Sequence, residues 1–336
     1  MATAMGPGMA TGMGAGARSA TGTAPVPAGP EGTAPWPEAG PAAGSAGGTG
    51  PHARHERPPS YWQEAWRRLR RNRAALAGLV VISVMVVAAL IGPELSPYSY
   101  DAQVLAEANQ PPSAAHWFGT DQLGRDILTR VLYGARISLA VGIVASLIGL
   151  VIGVAYGAVA GFYGGVVDNV MMRIIDVIYG LPFILYVVLL MVVLGPGLEN
   201  VFIALGAVYW TGMARIVRGE VLSLKQREFV LAARAMGVPP WQVVWRHLVP
   251  NAIGPILVTM TLLVPEAIFS EAFLSYLGLG VQAPIASWGV LAAEGNRALR
   301  SAPWALFFPA GFICITMLAF NFLGDGLRDA LDPRMR

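Results

Sequence analysis

Six apolar stretches, each close to the roughly 20 residues a helix needs to cross about 30 Å of hydrocarbon, punctuate this 336-residue chain. They fall near 74–93, 137–160, 174–195, 200–218, 252–277 and 303–323. With 55% hydrophobic and only 13% charged residues the chain is too apolar for an ordinary soluble domain, and its apolar residues are segmented rather than spread. The expected fold class is an all-α integral membrane protein with six transmembrane helices.

Lys and Arg are retained on the cytoplasmic side of a membrane, so their distribution predicts orientation. Arg67, Arg68, Arg70, Arg71 and Arg73 precede the first stretch and put the N-terminus inside. Six crossings then place the 215–251 loop and the C-terminus inside too. That loop carries Arg215, Arg218, Lys225, Arg227, Arg234 and Arg246, whereas the external segments hold Arg125, Arg130, Arg136, Arg297 and Arg300. Topology thus accounts for the net charge of +3 without a nucleic-acid partner. A multi-pass protein of the inner (cytoplasmic) cell membrane is expected, with both termini cytoplasmic.

Residues 1–60 are rich in Gly, Ala and Pro without apolar segments, and read as a disordered cytoplasmic tail rather than a signal peptide. Within it, His52 and His55 are two isolated histidines and read as incidental. The lone cysteine, Cys314, lies in the last apolar stretch and allows no disulfide within the chain.

Familiar reaction centres are missing from the sequence. Lys225 is the only lysine, and Leu224 precedes it where a phosphate-binding P-loop requires Gly. Neither a His-Glu-x-x-His pair, a Gly-x-Ser-x-Gly elbow nor a cysteine cluster is present. The expectation is a non-catalytic chain with no cofactor or metal of its own. Ionisable residues within apolar stretches still need an account, since each costs at least ~2.5 kcal/mol near a bilayer centre. Arg173 and Asp176, one turn apart, suggest a structural pair. Glu266, beside Pro265, and Glu271 are candidates for a translocation path. Five residues separate the two, about 140° around a helix, so they are no acid/base couple.

The segment KQREFVLAARAMGVPPWQVVWRHLVPN, residues 225–251, interrupts two apolar stretches with charge. Phe229, Ala232, Ala233 and Met236 recur at helical spacing and share a face, with Glu228 and Arg234 off it. Gly237 supplies a stop and Pro239-Pro240 forbids continuation. A second short helix fits from Trp241 to Val249, ended by Pro250. Two short helices at such a corner form an elbow suited to a docking partner.

Ala232-Ala233-x-x-x-Gly237, followed by Pro250, resembles the coupling loop of permease subunits of ATP-binding cassette (ABC) importers. Leu231, His247 and Val249 depart from that family's usual Glu, Ile and Leu. More specific blocks lie elsewhere. Gly119-Thr120-Asp121, Gly124-Arg125-Asp126, Arg130 and Gly134-Ala135-Arg136-x-Ser138-Leu139 resemble the dipeptide and oligopeptide (peptide/nickel) branch, C-type. So do Ser270–Gly289 and the tail Gly324-Asp325-Gly326-Leu327-Arg328-Asp329 with Asp332-Pro333-Arg334.

The resemblance covers the chain from about residue 67 onward and implies a type I ABC importer permease (MetI-like) fold. It further implies a second homologous permease subunit, two cytoplasmic ABC ATPase subunits that hold the ATP, and an extracytoplasmic solute-binding protein. Glu228, Ala232, Ala233, Met236, Gly237 and Pro250 are then the expected ATPase-coupling residues. The implied cargo is a di- or oligopeptide, with nickel or another small solute as alternative. A stand-alone secondary transporter is the rival from another class, and it predicts inverted repeats and coupled intramembrane charges. The organisation expected is the 1–60 tail, a 67–136 region with the first crossing and an extracytoplasmic loop, and a 137–336 core containing the 225–251 coupling loop.

Four smaller expectations follow from the blocks. The stretch around Ile127, Leu128, Val131 and Leu132 reads as an amphipathic helix along the outer surface. Trp288 reads as an interfacial anchor, and Gly324 with Gly326 as the stop of the last helix. Gly142, Gly149, Gly153 and Gly157 read as packing positions.

Overall fold

The computed structural model describes residues 60–332 apart from Ala283; the N-terminal tail with His52 and His55, and Pro333-Arg334, lie outside the described residues. Among the described residues the chain is helical, with no strand. A short helix α1 (Tyr61–Arg71) leads into α2 (Arg73–Leu95), whose N-terminus is capped by Asn72 accepting from the backbone of Ala74 and Ala75. After an extended loop, Asp126 caps α3 (Ile127–Tyr163) by accepting from the Thr129 N–H at 2.8 Å. Next come α4 (Gly165–Tyr179), α5 (Phe183–Leu194) and α6 (Leu198–Leu224). The elbow contains α7 (Glu228–Ala235), α8 (Pro240–Gln242), a π turn (Val243–Leu248) and α9 (Val249–Asn251). The chain finishes with α10 (Ile253–Tyr276), α11 (Trp288–Arg297) and α12 (Trp304–Leu331).

Five helices are long and apolar enough to cross a membrane: α2, α3, α6, α10 and α12. The sixth apolar stretch is a broken one. It was expected as one continuous span over 174–195, but α4 and α5 meet at an angle of 82°. Pro182 explains the break, since it cannot donate to the preceding turn and disfavours helix at Leu181.

Helix packing shows that this bent pair still carries the chain across. A Cβ on Gly149 would meet Tyr209, on Gly153 Met213, on Gly157 Ala214 and on Gly161 Val221, so α3 and α6 run side by side in the same direction. The 165–197 segment between them must therefore return to the starting end. The other neighbours alternate: Gly78 lies against Ala319 and Gly326 against Ala75, which makes α2 and α12 antiparallel. Gly142 faces Ile268 while Ser138 bonds Glu271, so α3 and α10 are antiparallel as well. Six crossings result.

Three expectations are corrected here. Ile127 and Val131 are buried in the first turns of α3 and form no separate surface helix; the boundary placed at 136/137 falls inside this one 37-residue helix. Trp288 is fully buried, its indole donating to the Val131 carbonyl at 3.0 Å, so it anchors α11 to α3 rather than to an interface. α12 runs through Gly324 and Gly326 to Leu331, because these glycines make room for Leu262 and Ala75 instead of ending the helix. The reading of Gly142, Gly149, Gly153 and Gly157 as packing positions is what the contacts show.

Candidate functional site at the 225–251 elbow

The elbow is built on local rules. Lys225 caps α6 and sends its ammonium to the Gly161 carbonyl at 2.8 Å, fixing the exit of α6 to the end of α3. α7 then turns an inner stripe of Val230 and Ala233 into the bundle, both almost fully buried. Its end is a Schellman motif: the Val238 N–H reaches the Ala233 carbonyl and the Gly237 N–H the Arg234 carbonyl. Gly237 adopts φ +78°, which penalises any side chain although the space around it is open. Arg234 stacks its guanidinium 4.7 Å above the Phe162 ring and clips α7 to the end of α3.

Beyond Pro239 the chain stays helical, but with a wider turn. The Val249 N–H reaches back to the Val244 carbonyl, five residues earlier, in a π turn. Pro250 was expected to break this helix; instead it sits inside α9, and the interruption comes at Ala252, just before α10. The Asn251 side chain donates to the His247 carbonyl one turn back at 2.6 Å.

The structure sorts the residues of the segment by exposure. Glu228, Phe229, Ala232, Met236 and Gly237 are exposed as expected for a docking face. Ala233 is 2% exposed, and this corrects its assignment: it packs inward with Val230, because a three-residue step on α7 aligns those two beneath the helix. The outer surface instead adds Leu231, Trp241 and Trp245. Met236 and Trp241 are 77% and 64% exposed, an unusual state for apolar side chains of this size.

Two ion pairs join α4 to α6 at this end. Arg218 grips Asp168 with two bonds, Nη2 to Oδ2 at 2.6 Å and Nε to Oδ1. Asp176 lies 4.0 Å from Arg173, the expected partner, and 2.8 Å from Arg215, whose guanidinium also covers the Tyr179 ring at 4.2 Å. Sequence reading missed both inter-helix partners, since Asp168 and Arg218 stand 50 residues apart and no local pattern links them.

A cavity of about 170 Å³ opens at the α4/α5 break, lined among others by Tyr179, Phe183, Tyr186, Tyr209 and Glu266. The Tyr209 hydroxyl donates to the Glu266 carbonyl at 3.1 Å and pairs with Ser270 at 2.8 Å, latching α6 to α10 beside it. Glu271 does not join this cavity. It is fully buried on the α3 side of α10, accepting from Ser138 at 3.1 Å and Ser275 at 2.7 Å, which makes it a packing group and removes it from the path expected.

The opposite end is closed by a cap that ties the sequence block around Gly119 to α11. Arg125 Nε donates to Asp121 at 2.7 Å and its Nη2 to Glu294 at 2.9 Å; Arg130 Nη1 reaches Asp121 at 2.6 Å and Glu294 at 2.5 Å. His116 sits 2.9 Å from Asp126 on the adjacent turn. Asp121, Arg125 and Arg130 are all buried, so the loop before α3 is bolted to α11 by charge neutralised internally.

Six crossings with a two-helix elbow between the fourth-crossing helix α6 and the fifth, α10, define an integral membrane transport subunit of the type I ABC importer class. A solved structure described as an inward-facing conformation of the MetNI methionine ABC transporter shares the fold, with TM-score 0.50 and 21% identity over 60% of this chain and 96% of that one. The family described as binding-protein-dependent transport system inner membrane component matches residues 149–336, and the N-terminal transmembrane domain of oligopeptide transport permease C matches residues 60–112. The chain belongs to this permease family, in its dipeptide/oligopeptide C-type branch. It is 58% identical to the dipeptide transport system permease protein DppC of Bacillus subtilis, covering 82% of this chain and 87% of that protein. To the oligopeptide transport system permease protein OppC of the same organism it is 52% identical, covering 82% and 91%.

Proposed function

We propose that this permease moves di- or oligopeptides inward and that the 225–251 elbow is the lever through which separate ATPase subunits drive it. One observation carries the reading: an elbow joining α6 directly to α10 presents Phe229, Leu231, Met236, Trp241 and Trp245 to solvent at the end of the bundle. Apolar side chains held out on a structured surface are stabilised when a partner covers them. Two such elbows, one from this chain and one from a homologous permease subunit, would sit on two ATPase subunits that bind the ATP. An extracytoplasmic binding protein would deliver cargo at the α11 end. The N-terminus, elbow and C-terminus then face the cytoplasm, in keeping with the arginines near them.

In this reading ATP binding draws the ATPase subunits together and displaces the elbows, and α6 and α10 carry the displacement into the bundle. Glu266, at the cavity beside the α4/α5 break, lies on the path side of α10 and would meet the cargo's polar backbone. The peptide assignment rests on the names of the relatives; selection would reside mainly in the binding protein.

The test is reconstitution of the full complex with its binding protein. Peptide uptake should require ATP, and a cysteine replacing Met236 should cross-link to the ATPase subunit. Uptake without nucleotide, or labelling of Met236→Cys only from the binding-protein side, would overturn the lever.

A further inference from the structure

The helix α1 has an apolar sector that the protein only half covers. At about 100° per residue, Tyr61, Ala65 and Leu69 occupy one sector of the helix, Trp62 and Trp66 extend it, and Arg70, Arg67 and Arg71 follow in turn from its edge onto the opposite, polar face. The first group is docked: Ala65 and Leu69 are buried, Leu69 packs with Ala75 and Ala330, and the Tyr61 hydroxyl donates to the Leu331 carbonyl at 3.2 Å. The second group is bare, with Trp62 52% and Trp66 45% exposed. Arg70 lies 4.9 Å over the Trp66 ring, and Arg67, Arg70 and Arg71 form no ion pair among the described residues, whereas Arg68 is tied to Glu64 at 2.6 Å.

Position decides what covers the tryptophans. Asn72 alone separates α1 from the membrane-crossing α2, so α1 must lie at the level where that crossing begins. There, indole rings favour the boundary between hydrocarbon and headgroups, and a cluster of arginines attracts negative charge. We propose that α1 is an interfacial helix that binds anionic phospholipid, its two tryptophans embedded and Arg67, Arg70 and Arg71 holding the headgroups. Its docked side touches the ends of α10 and α12 through Gly254 and Leu331, so the lipid contact steadies the same end of the bundle from which the elbow projects. The inference needs only that the chain is membrane-embedded, and is independent of peptide transport.

The experiment uses the full chain carrying Cys314→Ser, reconstituted in bilayers of phosphatidylcholine with or without phosphatidylglycerol. Spin labels on W62C, Q63C, W66C and R67C are read for access to oxygen, enriched in lipid, and to a water-soluble nickel chelate. Positions 62 and 66 should be oxygen-accessible, while 63 and 67 should be chelate-accessible. In parallel, phosphatidylglycerol retained on the purified chain is counted by mass. At about fivefold per charge, the triple variant R67Q/R70Q/R71Q should lower the preference for phosphatidylglycerol ~100-fold, with its thermal unfolding unchanged. Uniform chelate access at all four positions would overturn the proposal, as would an unaltered lipid preference in the triple variant. Protection of positions 62 and 66 that arises only when ATPase subunits are added would also overturn it, in favour of a protein partner.

Discussion

At the α11 end, two arginines and two acidic groups are packed between a loop and two helices; at the elbow end, short helices are held by one lysine, one arginine–ring stack and an inward apolar seam of Val230, Ala233, Val243, Val244 and Leu248. The first arrangement resists displacement, because separating buried opposite charges strands each of them in a poor solvent. The second is seated mainly by apolar contact, which is non-directional, and it keeps Phe229, Met236 and Trp241 outside. The difference teaches where motion can enter under the proposed lever: it must be stiff within itself, by virtue of its Schellman turn, yet seated on the body by contacts without fixed direction.

The largest expected effect tests the stiff end. Arg130→Met leaves Asp121 and Glu294 facing each other with one cation fewer, and should cost about 3–5 kcal/mol of stability, read as a drop in thermal unfolding midpoint in detergent. If Arg130→Met melts like the parent, the cap is not a clamp. Next, Glu271→Leu should cost about 1–3 kcal/mol, because the Ser138 and Ser275 hydroxyls lose their acceptor inside the bundle; Glu271→Gln should recover part of this. Gly237→Val should cost about 1–2 kcal/mol locally from the φ of +78°. Here uptake should fall much further than the unfolding midpoint, and equal losses in both would place Gly237 in the body of the fold instead. Smallest in stability are Phe229→Ala and Met236→Ala, within about 0.5 kcal/mol of the parent. Their effect should surface in ATPase copurification, and undiminished copurification in the double variant would remove these side chains from the docking face. Ala233→Trp sharpens the contrast, since it should destabilise the chain itself by about 1–3 kcal/mol through overpacking beneath α7.

Much of the architecture was legible in the sequence because membrane crossing is written in long runs of apolar residues. The elbow was legible through Gly237, Pro239 and Pro240, whose backbone demands are local. Ala233 was misplaced because the apolar face of α7 was read as the docking face, when a short amphipathic helix on a larger body turns its smallest apolar stripe inward and leaves Phe229 and Met236 outside. The α4/α5 break was missed although Pro182 marks it, since an apolar run on both sides of a proline reads as one span. Arg218–Asp168 and the Arg130–Glu294 tie were illegible for a different reason. They join residues 50 and 164 positions apart, and only the packed helices bring them together. Helix α1 was visible only as a group of arginines, because its apolar sector is too short to register as a crossing.

The close approach of α3 and α6 has a mechanical consequence. Backbone meets backbone along Gly149, Gly153, Gly157 and Gly161, leaving no layer of flexible side chains between the two rods to accommodate sliding. They should therefore travel as a single keel, and whatever an ATPase imposes on the lower end of α6 arrives undiminished in α3. The compliance must lie where the chain is already creased, at Gly180–Pro182. That crease borders the Glu266 cavity, so the widening of the conduit and the bending of its weakest wall would be one event.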